Sequence, residues 1–255
     1  MPLSEDTLRR ALGRLGVHAP VRFDEVTGST NATALAMAEA GAPEWTLVAA
    51  GHQTEGRGRL GRTWVDEPGS ALMFSIVLRP DLEPELGGLI PLLAGAAMAR
   101  ACEDVAGAEV ACKWPNDLLL ADAKVGGILA ESLLEGEMFE FVVLGVGVNL
   151  GTPPPVEGSG ALEADAGELL GVFLERFAHH YEPGHPAFAG AVAGYYREVC
   201  TTLGRRVRAV AVDGAVVEGE AVDVDEHGGL VVRVDGGLEA VRFGEVEHLE
   251  TSLPG

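Results

Sequence analysis

Two apolar runs flank a short basic loop, and this arrangement constrains the fold more than any other feature of the sequence. Residues 46–51 (TLVAAG) and 70–78 (SALMFSIVL) each predict a buried strand. Between them, residues 56–62 (GRGRLGR) carry three arginines separated by glycines, which let a backbone approach a ligand closely. Because arginine binds carboxylate and phosphate through its forked guanidinium, the loop predicts a clamp for a small anion. The alternative is a solvated basic turn.

The rest of the chain is acidic, which narrows the classes of function. The 255 residues have a formal net charge of -21 and a pI near 4.6. This balance argues against general nucleic-acid binding, which requires Lys and Arg to neutralise phosphates. No apolar run reaches the roughly 18 residues of a membrane span, and the first ten residues lack a secretion signal. The separated Cys102, Cys112 and Cys200 predict reduced thiols in a cytoplasmic protein.

Residues 1–204 predict an α+β domain. A helix capped by Ser4 and ended by Gly16 begins the chain, and an apolar helix is predicted at 86–106. Further helices are predicted at 32–40, 166–181 and 185–203. Strands are predicted at 21–26, 46–51, 70–78, 110–113, 118–120, 124–131 and 139–150. We expect a mixed sheet with helices on one face.

The character of the sequence changes at about residue 205. Val-rich runs near 206–212, 215–224, 229–234 and 238–243 are separated by Gly-containing turns. Such short, regularly spaced strands are typical of a small antiparallel barrel. We therefore expect a second domain at 205–255, with a boundary near residue 204.

Polar residues stand at the predicted strand ends and helix starts, where a ligand can reach them. They are Ser29, Thr30, Gln53, Arg57, Arg59, Arg62, Asn116, Asp117, Lys124 and Asn149. The set offers cations for phosphates, a carboxylate able to hold Mg²⁺, and amides and hydroxyls for a neutral ligand. The sequence contains neither a GxSxG nucleophile motif nor a Walker-type loop. It fits an enzyme that holds a nucleoside triphosphate against a second substrate and acts by positioning and charge stabilisation.

Five segments occur in the order and spacing of biotin protein ligases, and the chain resembles that family from about residue 21 to 150. The segments are GSTN (28–31), HQTEGRGRLGR (52–62), KWPNDL (113–118), KVGGILAE (124–131) and GVGVN (145–149). The terminal Val-rich region is similar to the family's SH3-like domain. The resemblance implies a catalytic domain of the kind shared with class II aminoacyl-tRNA synthetases.

The resemblance also implies an activity. With Mg²⁺, biotin and ATP give biotinyl-5′-AMP and pyrophosphate, and biotin then passes to a lysine of a biotin carboxyl carrier protein, as in acetyl-CoA carboxylase. The acidic charge and the short segment before residue 21 imply the form without a DNA-binding repressor domain. We expect a cytoplasmic enzyme with no nucleic-acid or membrane partner, as a monomer or a homodimer. The alternatives are a lipoate ligase or octanoyl transferase of the same fold, and a non-catalytic biotin or adenylate sensor.

The family's functional positions correspond to residues of this chain. Those matching biotin-binding positions are Ser29, Thr30, Asn31, Gln53, Arg57, Gly58, Arg59 and Lys124. Those matching positions at ATP or the adenylate are Arg57, Arg59, Arg62, Trp64, Asn116, Asp117, Lys124 and Asn149. The resemblance implies catalytic roles for Lys124, Arg59 and Asp117, with Lys124 between the biotin carboxylate and the α-phosphate. Asp117 is the candidate Mg²⁺ ligand, or the acceptor of a proton from the incoming lysine.

Finer expectations concern four parts of the site. Trp64 and Trp114 resemble walls of the pocket, and the alternative for Trp114 is a place in the core. Glu131, on the Gly-Gly strand, is expected to be structural. Without a ligand to neutralise its three arginines, the loop at 56–62 is expected to be mobile, and to become ordered when biotin or the adenylate binds.

Overall fold

The computed structural model describes residues 3–242 and 244–249, and its larger part is built on a seven-stranded sheet. The strands are β1 (Val21–Asp24), β2 (Leu47–Ala50), β3 (Ala71–Leu78), β4 (Val110–Lys113), β5 (Asp117–Leu120), β6 (Ala123–Glu135) and β7 (Met138–Asn149). They pair in the order β1-β2-β3-β7-β6-β5-β4, with β1 and β2 parallel and the other neighbours antiparallel. The predicted mixed sheet is confirmed.

Five α-helices accompany the strands within the described residues. They are α1 (Glu5–Arg14), α2 (Thr30–Glu39), α3 (Leu89–Ala106), α4 (Ala166–His180) and α5 (Phe188–Arg197). Ser4 caps α1 as predicted, since its side chain accepts a hydrogen bond from the Thr7 N–H. The last helix ends earlier than predicted because the chain then turns, and the backbone at Cys200 forms an isolated parallel β-bridge with that at Cys112 of β4. Both thiols are free.

The helices cover both faces of the sheet, which corrects the prediction of helices on one face. On one face, α3 packs over the main hydrophobic cluster, to which Leu47 and Ala49 belong. On the other face, α2 packs in a second cluster with Val48. Successive side chains of a strand point to opposite faces, so a strand that is apolar throughout needs cover on both.

The segment Pro84–Ala106, which contains α3, is long and apolar enough to cross a membrane by length and composition. In the fold, however, 67% of its apolar 18-residue stretch is buried inside the protein. Its position across the sheet is that of a core helix, as the sequence predicts.

A second, antiparallel sheet follows α5. Its strands are β8 (Arg206–Ala211), β9 (Val216–Val224), β10 (Leu230–Val234), β11 (Gly237–Val241) and β12 (Gly244–His248). They pair in the order β11-β10-β9-β8-β12. Because β12 pairs with β8 while β11 lies at the opposite edge, the described strands form an open sheet, which corrects the predicted barrel closure. The sequence analysis did not predict β12, because this strand contains only one valine. The fourth predicted run ends at residue 243, which lies outside the described residues.

The two sheets share one hydrophobic cluster. Val207 and Leu230 of the second sheet belong to the same cluster as Leu118 of the first. Trp114 lies at this junction, where its Nε1 donates to the Gly228 carbonyl oxygen over 3.0 Å. The domain boundary near residue 204 stays a prediction.

Because of His248 on β12, we expect the free energy of unfolding to depend on pH. Its Nε2 lies 3.1 Å from Thr202 Oγ1, which accepts a hydrogen bond from the Trp114 N–H. Burial, followed by the charges of Lys113 and Arg205, lowers the pKa of His248 to about 4. The unfolded chain therefore binds this proton more readily, so the free energy of unfolding falls as the pH decreases from about 6.5 towards 4.

We expect His248→Gln to remove this contribution to the pH dependence. The contribution is at most about 1.4 kcal/mol per pH unit, and solvent screening of the half-buried ring reduces it. Urea unfolding at about pH 7 and about pH 4.5 measures it. His18→Gln, at an exposed position, is the matched control and should follow the wild type. Identical pH slopes for wild type and His248→Gln would contradict the prediction.

Candidate active site

A cavity opens where β6 and β7 meet the N-terminus of α2 and the loop at 56–62. Most residues that the sequence predicts for the site line it: Ser29, Thr30, Asn31, Gln53, Arg57, Gly58, Arg59, Arg62, Trp64, Asn116, Asp117 and Lys124. Segments far apart in the sequence meet here because β6 and β7 are neighbours in the sheet. The structure therefore gathers the predicted motifs into one place.

One end of the cavity, at the start of α2, carries uncharged polar groups, with the Arg57–Glu131 ion pair beside them. The Thr30 N–H and hydroxyl donate to Gln53 Oε1 over 2.7 and 3.1 Å. Ser29 is the N-cap of α2, yet its side chain makes no capping hydrogen bond within the described part of the chain. Its hydroxyl is therefore available to a ligand. This end can bind a neutral ring that hydrogen-bonds.

Two glycines of β7 form the floor of the cavity, because side chains there would collide with neighbouring groups. A Cβ at Gly145 would lie 2.1 Å from Asn31 Oδ1, and one at Gly147 would lie 2.8 Å from the Trp64 ring. The Nε1 of Trp64 is buried and has no hydrogen-bond partner among the described residues. An unpaired buried donor is costly, and an acceptor atom of a bound ligand would satisfy it.

The other end of the cavity concentrates positive charge. Lys124 Nζ donates to Asp117 Oδ1 over 2.6 Å across the β5–β6 pair. Arg59 donates to Asn116 Oδ1 over 3.2 Å and to the Gly244 carbonyl oxygen over 3.0 Å. The pKa of Arg59 is lowered by burial, and the nearby carboxylates only partly oppose this effect. The guanidinium nevertheless stays charged. Two fixed cations can thus stabilise anions that meet between them.

The arginines of the loop at 56–62 have protein partners. Arg57 Nη1 lies 3.6 Å from Glu131 Oε1, and Arg62 Nη2 lies 2.5 Å from Glu245 Oε2. The cations are therefore partly neutralised by the protein itself, which weakens the reason for expecting a mobile loop. At the tip, Leu60 has a φ of 53°, in the left-handed region that favours glycine. The mobility of the loop stays a prediction.

The surroundings of Asp117 do not form a metal cage. Within residues 3–242 and 244–249, no group of three or more His, Cys, Asp or Glu side chains is arranged to hold a metal ion. The carboxylate instead pairs with Lys124. Mg²⁺ often binds one or two carboxylates together with substrate phosphates, so a single carboxylate does not exclude it, and the role of Asp117 as its ligand stays a prediction.

Two predicted residues lie beside the cavity rather than in its wall. Asn149 Nδ2 donates to the Gly160 carbonyl oxygen over 2.9 Å and so holds the loop that follows β7. Its role toward the nucleotide stays a prediction. Trp114 is only 1% exposed and belongs to the main hydrophobic cluster, which agrees with the alternative of a place in the core. It also lines a second cavity, which shares Arg59 and Asn116 with the first, so its role as a pocket wall stays a prediction.

Two residues that the sequence reasoning did not assign to the site contact it. Ser75 Oγ donates to Asn31 Oδ1 over 2.6 Å, and Asn31 Nδ2 donates to Glu131 Oε2 over 2.8 Å. A serine in the middle of the apolar run 71–78 is a signal that could have identified Ser75. For Glu131 the signal is its even spacing from Gly127, which places both on one face of β6.

Comparison with known proteins assigns the chain to a family. Residues 23–149 match the Biotin/lipoate A/B protein ligase family, and residues 202–249 match the biotin protein ligase C terminal domain. A biotin–[acetyl-CoA-carboxylase] ligase of Mycobacterium tuberculosis is 35% identical, over 97% of this chain and 96% of its own length. The chain belongs to the biotin protein ligase family. The bifunctional ligase/repressor BirA of Bacillus subtilis is 30% identical, over 96% of this chain and 79% of its own.

Solved structures of biotin protein ligases share the fold. The enzyme from Aquifex aeolicus, in complex with biotin and ATP, has a TM-score of 0.75 at 24% identity, over 91% of this chain and 99% of that one. The enzyme from Leishmania major, in complex with biotinyl-5-AMP, has a TM-score of 0.60 at 25% identity, over 92% and 100%. The α+β fold class predicted from the sequence is confirmed.

Proposed function

We propose that this chain is an ATP-dependent biotin protein ligase. It converts biotin and ATP into biotinyl-5′-AMP and pyrophosphate. It then transfers biotin to a lysine of a biotin carboxyl carrier protein, such as that of acetyl-CoA carboxylase. The observation that carries this proposal is the cavity itself, with uncharged polar groups at the start of α2 and with Lys124 and Arg59 at the other end. A substrate with a neutral ring and a distant carboxylate suits this division.

The first half-reaction needs a concentration of positive charge. A carboxylate oxygen of biotin attacks the α-phosphorus of ATP, a new O–P bond forms, and pyrophosphate leaves. Because two anions must meet and charge develops on the phosphoryl oxygens, fixed cations lower the barrier. Lys124, held by Asp117, and Arg59, held by Asn116, supply them. Mg²⁺, for which Asp117 is the candidate protein ligand, would supply further positive charge to the phosphates of ATP.

The second half-reaction needs alignment more than activation. The amine of the acceptor lysine attacks the carbonyl carbon of the mixed anhydride, AMP leaves, and the nitrogen loses a proton. Asp117 is the proposed proton acceptor, and its 2.6 Å contact with Lys124 supports a place beside the reacting centre. Water must be excluded meanwhile, because an acyl-adenylate hydrolyses readily.

Closure of the loop at 56–62 over the adenylate would exclude that water. We expect biotin with ATP to slow amide hydrogen exchange in residues 56–63 by roughly tenfold or more, because opening of the loop then breaks contacts to the ligand. Exchange in β9 should be unchanged and serves as the internal control. Mass spectrometry with and without the two substrates measures both segments. Equal exchange in the loop under the two conditions would argue against closure.

Incorporation of radiolabelled biotin into a carrier domain tests the function, with lipoate run in parallel. We expect label from biotin alone. Transfer of lipoate or an octanoyl group would favour the related acyl-transfer enzyme, and biotin binding without transfer would favour the non-catalytic sensor. The family matched by residues 23–149 includes lipoate enzymes, whereas the match of residues 202–249 favours biotin. No label from biotin would end the proposal.

The proposed setting is the cytoplasm, with the carrier protein as partner and with no nucleic acid or membrane. The net charge of -21 supports the absence of DNA binding and of a repressor function. A mobility-shift assay with DNA tests it, and a shifted band at physiological salt would refute it. A homodimer is the alternative to a monomer, and light scattering decides between them.

A further inference from the structure

Glu131 lies on the face of β6 that forms the cavity. Side chains alternate along a strand, so Glu131 shares a face with Gly127 and Leu129, which line the cavity. Its two carboxylate oxygens have different partners. Asn31 Nδ2 donates to Oε2 over 2.8 Å, and Arg57 Nη1 lies 3.6 Å from Oε1. The carboxylate therefore connects the start of α2 to the arginine loop.

Asn31 is held in one orientation. Its Nδ2 faces two acceptors, the Glu131 carboxylate and the Leu129 carbonyl oxygen, while its Oδ1 accepts the Ser75 hydroxyl over 2.6 Å. Asn31 is 4% exposed and Ser75 is fully buried, so breaking these bonds would leave polar groups unpaired. The absence of a side chain at Gly145 provides the space that Asn31 occupies. Asn31 thus fixes the direction of the Glu131 carboxylate.

The contact between Glu131 and Arg57 can position the arginine and still leave it able to bind a ligand. At 3.6 Å, with Arg57 half-exposed, the ion pair is weak, and the guanidinium keeps most of its five donors for another anion. We propose that Glu131 is a positioning residue that holds Arg57 over the cavity, and that Ser75 and Asn31 aim its carboxylate. This inference rests on the proposed function for the identity of the ligand, biotin.

Amide hydrogen exchange in the free protein tests directly whether Glu131 positions Arg57. Glu131→Gln removes the charge and keeps the size of the side chain. In the free protein, we expect amide exchange in residues 56–63 to become about threefold to fivefold faster, the effect of losing a half-exposed ion pair. Glu135→Gln, at an exposed position of the same strand, is the matched control and should leave that exchange unchanged. Unchanged exchange in Glu131→Gln would overturn the proposal.

Biotin binding by titration calorimetry separates positioning from a structural role. We expect Glu131→Gln to weaken biotin binding about threefold to fivefold, because the ligand must then order Arg57 itself. In an Arg57→Gln background the same change should have no further effect, since Glu131 acts through Arg57. A loss of equal size in that background would show a structural role and overturn the proposal. Tighter biotin binding by Glu131→Gln would also overturn it, because Glu131 would then compete with biotin for Arg57.

Failure of this inference can be distinguished from failure of the proposed function. If the wild type does not bind biotin, the proposed function fails, and hydrogen exchange in the free protein still tests Glu131. If the wild type binds biotin and Glu131→Gln equals it in both measurements, only the positioning role fails.

Discussion

Lys124→Ala is expected to lower the rate of adenylate formation, measured as pyrophosphate release, by about 100-fold to 1,000-fold. This is the effect of removing one group that stabilises developing charge. Lys124 Nζ is held 2.6 Å from Asp117 at the charged end of the cavity, where the proposed reaction brings two anions together. Alanine removes the cation and leaves the Asp117 charge to repel them. The fold should persist, because the Lys124 side chain is 41% exposed.

Pyrophosphate release in the presence of biotin and ATP measures this effect, and circular dichroism checks the fold. Lys113→Ala, at the other lysine of the chain, is the matched control and should remain active. Lys124→Arg keeps the charge and changes its geometry, so it should retain part of the activity. Near-normal pyrophosphate release by Lys124→Ala would refute the role assigned to Lys124.

Arg59→Ala is expected to release the adenylate prematurely. Arg59 connects the loop to Asn116 and to the Gly244 carbonyl oxygen of the second sheet. Hydrogen bonds to a charged group contribute about 1.5–3 kcal/mol, so the adenylate should dissociate about 10-fold to 100-fold faster without them. Biotin affinity should change by less than about threefold, because the uncharged end of the cavity stays intact.

Dissociation of labelled biotinyl-5′-AMP, chased with unlabelled adenylate, measures its retention, and calorimetry measures biotin affinity. Arg208→Ala on β8, outside the cavity, is the matched control and should leave both unchanged. A selective loss of biotin affinity with normal retention of the adenylate would count against the role of Arg59.

Several features of the site can be predicted from the sequence because they depend on local structure. Ser29 and Thr30 lie at the start of α2 because an Ala-rich helical segment follows them. Gly145 and Gly147 share a face because side chains alternate along β7. Such local patterns, combined with the order of the motifs, were sufficient to identify the family and most residues that line the cavity.

Other features depend on contacts between distant parts of the chain, and the sequence pattern does not contain them. Trp114 joins the core because Gly228, 114 positions later, accepts its indole N–H. Glu131 reaches the site through Asn31, 100 positions earlier. Each requires the pairing order of the strands, which local patterns do not determine.

The glycine floor limits how the ligand range of this enzyme could be redesigned. A smaller cavity cannot be made by adding a methyl group at Gly145 or Gly147, because it would displace Asn31 or Trp64. Displacing Asn31 would in turn disturb the carboxylate that faces Arg57. A variant that accepts a shorter or bulkier acid must therefore be sought in the segments that cover the sheet. The central strand β7 thus leaves little room for substitution on this face, and the covering segments are where selectivity can be changed.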